Sequence, residues 1–237
     1  MKIKVIATGS SRWDRFIRRW GVSFLIGEDI LFDTFGDPKV FLKNAKRVGV
    51  NFDAIRHIVL SHDDWDHIAG LWDFIEKYKN LTVYICPNFR QDVKDRIKSF
   101  GVPFIEVNGL FKIKDGVFST GEIEAFSGER KIYEQALAVK YLKQITIITG
   151  CAHPGIVRIV NIVRGHFCKE KDYAVMGGFH LKDSSELQIK KVISDLRDMK
   201  ISRVAPMHCT GKLAQRIFKK EYGIDFMETK AGSVVEI

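Results

Sequence analysis

Short β-branched and aromatic runs open the chain: KIKVIATG, VSFLIG and DILFDT predict three strands, with Gly27, Glu28 and Asp29 turning the chain between the last two. The period then changes. In DPKVFLKNAKRVG, Val40, Phe41, Ala45 and Val48 recur at helical spacing, Asp37 is placed to cap and Pro38 suits the first helical position. RHIVLS reads as a further strand. IAGLWDFIEKYK reads as a helix with Ile68, Leu71, Trp72 and Ile75 along one face.

The second half repeats these patterns. LTVYIC predicts a strand and NFRQDVKDRIKSFG a helix stopped by Gly101; PFIEVNG, LFKIKDG, VFSTGEIEAF and QALAVKYL predict a meander. QITIITG leads into a helix opened by Pro154 and Gly155. YAVMGG, SSELQIKKVISDLRDMK with a serine cap, and RVAPMH follow as strand, helix and strand. Strand clusters with helices in each half predict an α/β (α+β) protein, a four-layer αββα sandwich of two mixed β-sheets flanked by helices, folded as one domain over residues 1–237.

Composition narrows the class without choosing a function. Hydrophobic residues make up 46% and charged residues 28%, as in a globular protein and unlike a disordered one. No apolar run approaches the roughly 18 residues of a membrane span, and MKIKVIATGS reads as a first strand rather than a signal peptide, so a cytoplasmic protein without a membrane partner is expected. Cys86, Cys151, Cys168 and Cys209 form no CxxC pair and are expected as reduced thiols. The net charge of +9 favours an anionic partner, although solvated helix faces account for basic residues spread this widely.

The chemistry concentrates in VLSHDDWDHIAGL. Beyond the buried strand, His62 and Asp64 point the same way in extended backbone and can share an ion, while Asp66 and His67 begin the next helix and are offset towards a second. Imidazole and carboxylate suit Zn, Fe or Mn. Two other strand ends supply further ligands, His153 in ITGCAHPG and His208 in VAPMHCTG, and a rigid sheet aims such loops at one place. Each residue alone has an ordinary reading as a cap or a hydrogen-bonded core histidine; six at this spacing do not. His57 and His166 read as ordinary.

LFDTFGD, SHDDWDHIAG, GCAHPG, GGFHL and PMHCTG, in this order, resemble the metallo-β-lactamase superfamily, more narrowly its predicted metal-dependent hydrolases related to a dihydropterin synthase of methanopterin biosynthesis. The resemblance implies that His62, Asp64 and His153 bind a first metal and Asp66, His67 and His208 a second, with Zn foremost and Fe or Mn as alternatives. Asp64 stands where the superfamily usually has His. Gly177 and Gly178 stand near its usual bridging carboxylate, which leaves His180 as a ligand or proton donor.

A metal-dependent hydrolase is therefore expected, with Asp66 orienting water and either His180 or a metal-bound water protonating the leaving group of a small anionic substrate, a phosphoester in the first instance. In SSRWDRFIRRWG, Arg12 and Arg15 suit phosphate or carboxylate and Trp13 suits a flat ring, set against a plain surface turn and short helix. Four alternatives stand beside this reading. A transferase would join a pterin methyl carbon to an arylamine phosphate. A nuclease lacks room here for the added domain or arm that superfamily nucleases usually carry, so a nucleic-acid partner is not expected. A di-iron oxygen-reducing enzyme would need a flavin domain, and a non-catalytic metal-binding module remains open because of Gly177 and Gly178.

Overall fold

The computed structural model describes residues 1–237, the side chains of Arg12 and Ser127 excepted. The chain forms two compact units, residues 1–108 with 230–237, and residues 109–229. Each is built on one mixed sheet, and seven α-helices occur among the described residues, the mixed α/β make-up expected from the sequence.

In the first unit β1 (Lys2–Gly9), β2 (Gly21–Ile26) and β3 (Ile30–Phe32) pair antiparallel, and β4 (His57–Val59), β5 (Thr82–Ile85) and β6 (Phe104–Glu106) continue from β3 in parallel. The C-terminal strand Val234–Glu236 closes the other edge against β1. Every residue of β2 is buried, which explains its unbroken apolar run. A short helix α1 (Arg12–Phe16) follows β1, held by a capping box between Ser11 and Asp14. Helix α2 (Pro38–Arg47) starts where predicted, with Asp37 accepting from the Val40 N–H. Helix α3 (Trp65–Lys77) starts three residues earlier than the apolar spacing indicates, so Asp66 and His67 lie inside its first turn. Phe74 anchors it to the core, meeting Phe52 edge-on with centroids 5.5 Å apart and Tyr78 at 4.8 Å. Helix α4 (Gln91–Ser99) completes this unit.

The second unit begins with β7 (Phe111–Lys114) and β8 (Val117–Ser119). The segment expected as one strand over VFSTGEIEAF is interrupted: after β8 the chain makes a separate strand β9 (Ile123–Ser127), which pairs only with β10 (Arg130–Glu134), a strand the sequence pattern did not reveal. Gly121, with φ +73° and its Cα side packed on Gly109, makes that break. Strands β11 (Leu137–Tyr141), β12 (Gln144–Thr149), β13 (Asp172–Gly178) and β14 (Ile201–Met207) complete the sheet, the last three parallel. Helices α5 (Ile156–His166) and α6 (Glu186–Asp198) are as expected, and Ser185 caps α6. Helix α7 (Lys212–Tyr222) was not anticipated; it buries Ala214, Ile217, Phe218 and Tyr222 in a core shared with Ile147, Val175, Ile159 and Ile193.

One glycine ties this framework to the chemistry. A Cβ on Gly21, at φ +114°, would fall 1.9 Å from the Asp66 carbonyl oxygen, so β2 and the first turn of α3 approach only because position 21 has no side chain. Gly21→Ala is expected to cost about 3 kcal/mol through backbone strain and displacement of α3. Urea unfolding at equilibrium measures it; a loss below about 0.5 kcal/mol would show that the contact relaxes freely.

Candidate metal centre

In the first unit the HxDxDH segment forms one tight cluster around a residue that sequence reasoning missed. Asp33 leaves β3 with φ +56°, a left-handed conformation that Asp adopts more readily than most residues, and is fully buried. Its Oδ1 accepts the Ser61 N–H at 2.7 Å. Its Oδ2 accepts the Ser61 hydroxyl at 2.7 Å and the His67 Nδ1–H at 2.6 Å. Since the single Ser61 hydroxyl proton goes to Asp33, Ser61 Oγ accepts from His62 Nδ1, 2.8 Å away. Both imidazoles are thus held through Nδ1.

Their Nε2 atoms meet the motif's carboxylates: His62 Nε2 lies 3.6 Å from Asp64 Oδ2, and His67 Nε2 lies 3.3 Å from Asp66 Oδ2. The two rings abut with centroids 4.1 Å apart. Thr34 fixes the backbone beneath, donating from both its N–H and its hydroxyl to the His67 carbonyl. Burial disfavours a charged His67, but the adjacent Asp66 and Asp33 carboxylates outweigh it and hold the imidazolium well above its ordinary range. Burial likewise raises the Asp33 carboxyl, against the opposing effect of His67 and Ser61. The two flanking carboxylates therefore favour a charged His67.

The second unit gathers His153, His180 and His208. Glu134, at the end of the unforeseen β10 and fully buried, accepts the backbone N–H groups of Cys151, Ala152 and His153 at 3.0, 2.7 and 2.8 Å, and the His153 Nδ1–H at 2.9 Å. His153 is thus oriented as His62 and His67 are, with Nδ1 occupied. Its ring lies 4.5 Å from that of His180. His180 and His208 take φ of +52° and +51° at the exits of β13 and β14, and Thr210 ties the two exits together by accepting the Phe179 N–H and donating to the Met207 carbonyl. Cys151 Sγ sits 3.3 Å from His208 Nε2. Burial opposes ionisation of Cys209, yet Cys151, His208 and His180 together bring its thiol well below the ordinary range. The cysteines are free, as expected.

The substrate-loop residues fare differently. The Arg12 side chain lies outside the described residues. Trp13 is 66% exposed and stacks on Phe16, and Arg15 is exposed. The arginine of this segment that meets the motif is Arg18, whose guanidinium lies 5.1 Å from the Trp65 ring, between Asp64 and Asp66 in sequence. Both border a cavity of about 660 Å³ in the first unit that also takes in Trp72.

With this geometry in place, the likeness to known proteins is informative. A β-lactamase superfamily domain model matches residues 28–136. Over 93% of this chain and 91% of its own length, a protein of Methanocaldococcus jannaschii named 7,8-dihydropterin-6-methyl-4-(beta-D-ribofuranosyl)-aminobenzene-5'-phosphate synthase is 28% identical. Among solved structures, Tm1679, described as a metal-dependent hydrolase of the β-lactamase superfamily, superposes with a TM-score of 0.80 at 26% identity, covering 100% of this chain and 99% of its own. A diphosphatase of the PhnP family shares the fold, with a TM-score of 0.64 at 18% identity and coverage of 100% and 96%. Residues 28–136 thus match the β-lactamase superfamily domain, and the whole chain has the hydrolase-like fold of Tm1679. Its histidines, aspartates and cysteines are donors suited to a divalent metal. His180 Nδ1, buried and without a hydrogen-bond partner among the described residues, fits the same use. No helix is long and apolar enough to cross a membrane.

Two outcomes are expected. Asp33→Asn keeps the left-handed backbone but loses the carboxylate that fixes both imidazoles, so metal affinity should fall roughly 10- to 100-fold; isothermal titration with zinc reads this, and unchanged affinity would remove Asp33 from the site. The pKa of His67 is raised on folding, so it contributes stability that is complete below about pH 6.5 and is lost as the pH climbs through its folded value. Melts of the metal-free protein should show Tm falling above that pH, and His67→Gln should flatten the slope.

Proposed function

We propose that the protein is a hydrolase of small anionic phosphoesters whose two clusters ligate a pair of divalent ions: His62, Asp64 and His153 the first, Asp66, His67 and His208 the second. The observation that carries this reading is the shared orientation of His62, His67 and His153, each with Nδ1 within 2.9 Å of a buried oxygen acceptor. Imidazoles that merely filled a core would not need three separate buried anchors, two of them ionisable. A divalent ion bound there supplies Lewis acidity, making water nucleophilic near neutral pH and polarising a phosphoryl oxygen. Asp66 holds its ligand position and orients the attacking water through its second oxygen. His180, or a bound water where His180 is itself a ligand, gives a proton to the departing oxygen. We assign Zn as the ion in preference to Fe or Mn. Arg12, Trp13 and Arg15 are kept as substrate contacts from α1, and Arg18, whose guanidinium lies 5.1 Å from the Trp65 ring, joins them.

The transferase reading is supported by a specific observation, the synthase name carried by a relative that aligns along most of this chain. In that case a flat pterin would stack against Trp65 or Trp72, and the same carboxylates would handle protons at the methyl carbon.

Asp66→Ala should abolish hydrolysis of a phosphodiester such as bis(p-nitrophenyl) phosphate, by at least about 1,000-fold in kcat/KM, together with binding of one metal equivalent. Full activity in this variant would refute the assignment. Wild-type protein that leaves phosphodiesters intact but couples a hydroxymethyl-dihydropterin diphosphate to an arylamine would select the transferase.

A further inference from the structure

The second unit holds more donor atoms than the histidines named so far. Cys151 Sγ approaches His208 Nε2 to 3.3 Å, and Cys209 Sγ lies 3.3 Å from the Cys151 carbonyl oxygen. The two sulfurs and a ring nitrogen of His180 all fall within 4.8 Å of one another. Two ligands of one tetrahedral zinc ion, with Zn–S of about 2.3 Å and Zn–N of about 2.0 Å, stand about 3.5 Å apart. The sulfur and imidazole atoms are therefore spaced as ligands of a single ion are.

Buried cysteines often serve only as small apolar side chains. Three features speak for more than packing. The chain is left-handed at both His180 and His208, on neighbouring strands, which turns both residues out of the sheet ends at a conformational cost. The His180 Nδ1 atom is buried without a hydrogen-bond partner among the described residues. Finally, position 178, near the place where the superfamily usually offers a bridging carboxylate, has no space for any side chain: a Cβ there would lie 2.6 Å from Cys209 Sγ and 2.4 Å from the Gly150 carbonyl oxygen. The volume that a side chain would enter is occupied by a thiol. At Gly177 a Cβ would likewise meet the Thr149 carbonyl oxygen at 2.1 Å.

We propose that Cys151 and Cys209, with His180 and His208, form a thiolate–imidazole subsite of the metal centre that substitutes for the bridging carboxylate. This deepens the metal-centre reading above and rests on it. Thiolates prefer zinc and similar borderline or soft ions to the hard ions Mg and Mn, so the subsite makes the centre selective for the zinc class in spite of Asp64. Binding replaces the thiol proton by the metal and releases that proton to solvent; no oxidant or reductant takes part.

Cobalt(II) serves as the probe, added to the metal-free full-length protein and followed by absorption. The expected result is a thiolate-to-cobalt charge-transfer band in the near ultraviolet, rising together with the visible d–d bands. Cys151→Ser and Cys209→Ser should each cut that band by about half, and the double variant should lose it while d–d bands persist. In the double variant the preference for Zn over Mn should drop roughly 10- to 100-fold. Wild-type d–d bands without a charge-transfer band would overturn the thiolate subsite and leave the histidine–carboxylate centre standing. A charge-transfer band untouched by both serine substitutions would overturn the assignment to these cysteines. Wild-type protein that binds no cobalt by elemental analysis would overturn the metal centre and this subsite together. The wild-type spectrum decides the first and last of these even if a variant fails to fold.

Discussion

The first unit's chemistry depends on the buried carboxylate of Asp33. An ionisable group without solvent is costly unless its oxygens are filled, and Asp33 fills them with the Ser61 amide, the Ser61 hydroxyl and His67 Nδ1. Hydrogen bonds to a charged acceptor contribute about 1.5–3 kcal/mol each, enough to hold the strand exit and the first turn of α3 in one arrangement. Through Ser61 the same carboxylate also fixes His62. One side chain thus sets the orientation of two metal-ligand candidates and, with Asp66, sets the proton that His67 carries in the metal-free protein.

Glu134 plays the matching part in the second unit. Its carboxylate gathers three successive N–H groups and the His153 ring, a concave arrangement of donors that satisfies a buried anion and makes the loop after β12 rigid. The two units use the same principle on unrelated sequence segments: a buried acid anchors an imidazole through Nδ1. Such anchors pre-organise the imidazole rings, which lowers the ordering cost of any ligand they take.

Backbone strain occurs at the same positions as well as elsewhere in the chain. Asp33, Ala152, His180 and His208 all adopt left-handed backbone, and each lies at or beside a candidate ligand or its anchor. Outliers of this kind persist only where the surroundings over-determine them, and here the supporting bonds are the two acids and the Thr210 bridge. A sharp turn immediately after a strand is what brings a side chain back over the sheet end rather than onward with the chain.

The sequence determined the helix caps at Asp37 and Ser185, most strands, and the internal pairing of His62 with Asp64 and Asp66 with His67, because these depend on spacing within a few residues. Tertiary structure decided the rest. Strand β10 sends a weak local signal because its pattern is short and largely polar, whereas helix α7 does carry a helical spacing in Ala214, Ile217, Phe218 and Tyr222 and was legible without its tertiary contacts. Asp33 lay within a motif recognised as a whole, but its role depends on a partner 28 residues away. Glu134 reaches its histidine across 19 positions, and Cys151 its histidine across 57. No periodicity encodes such distances. They are set when apolar strands choose their neighbours in a sheet, and only then does a buried acid or thiol acquire the partner that gives it a function.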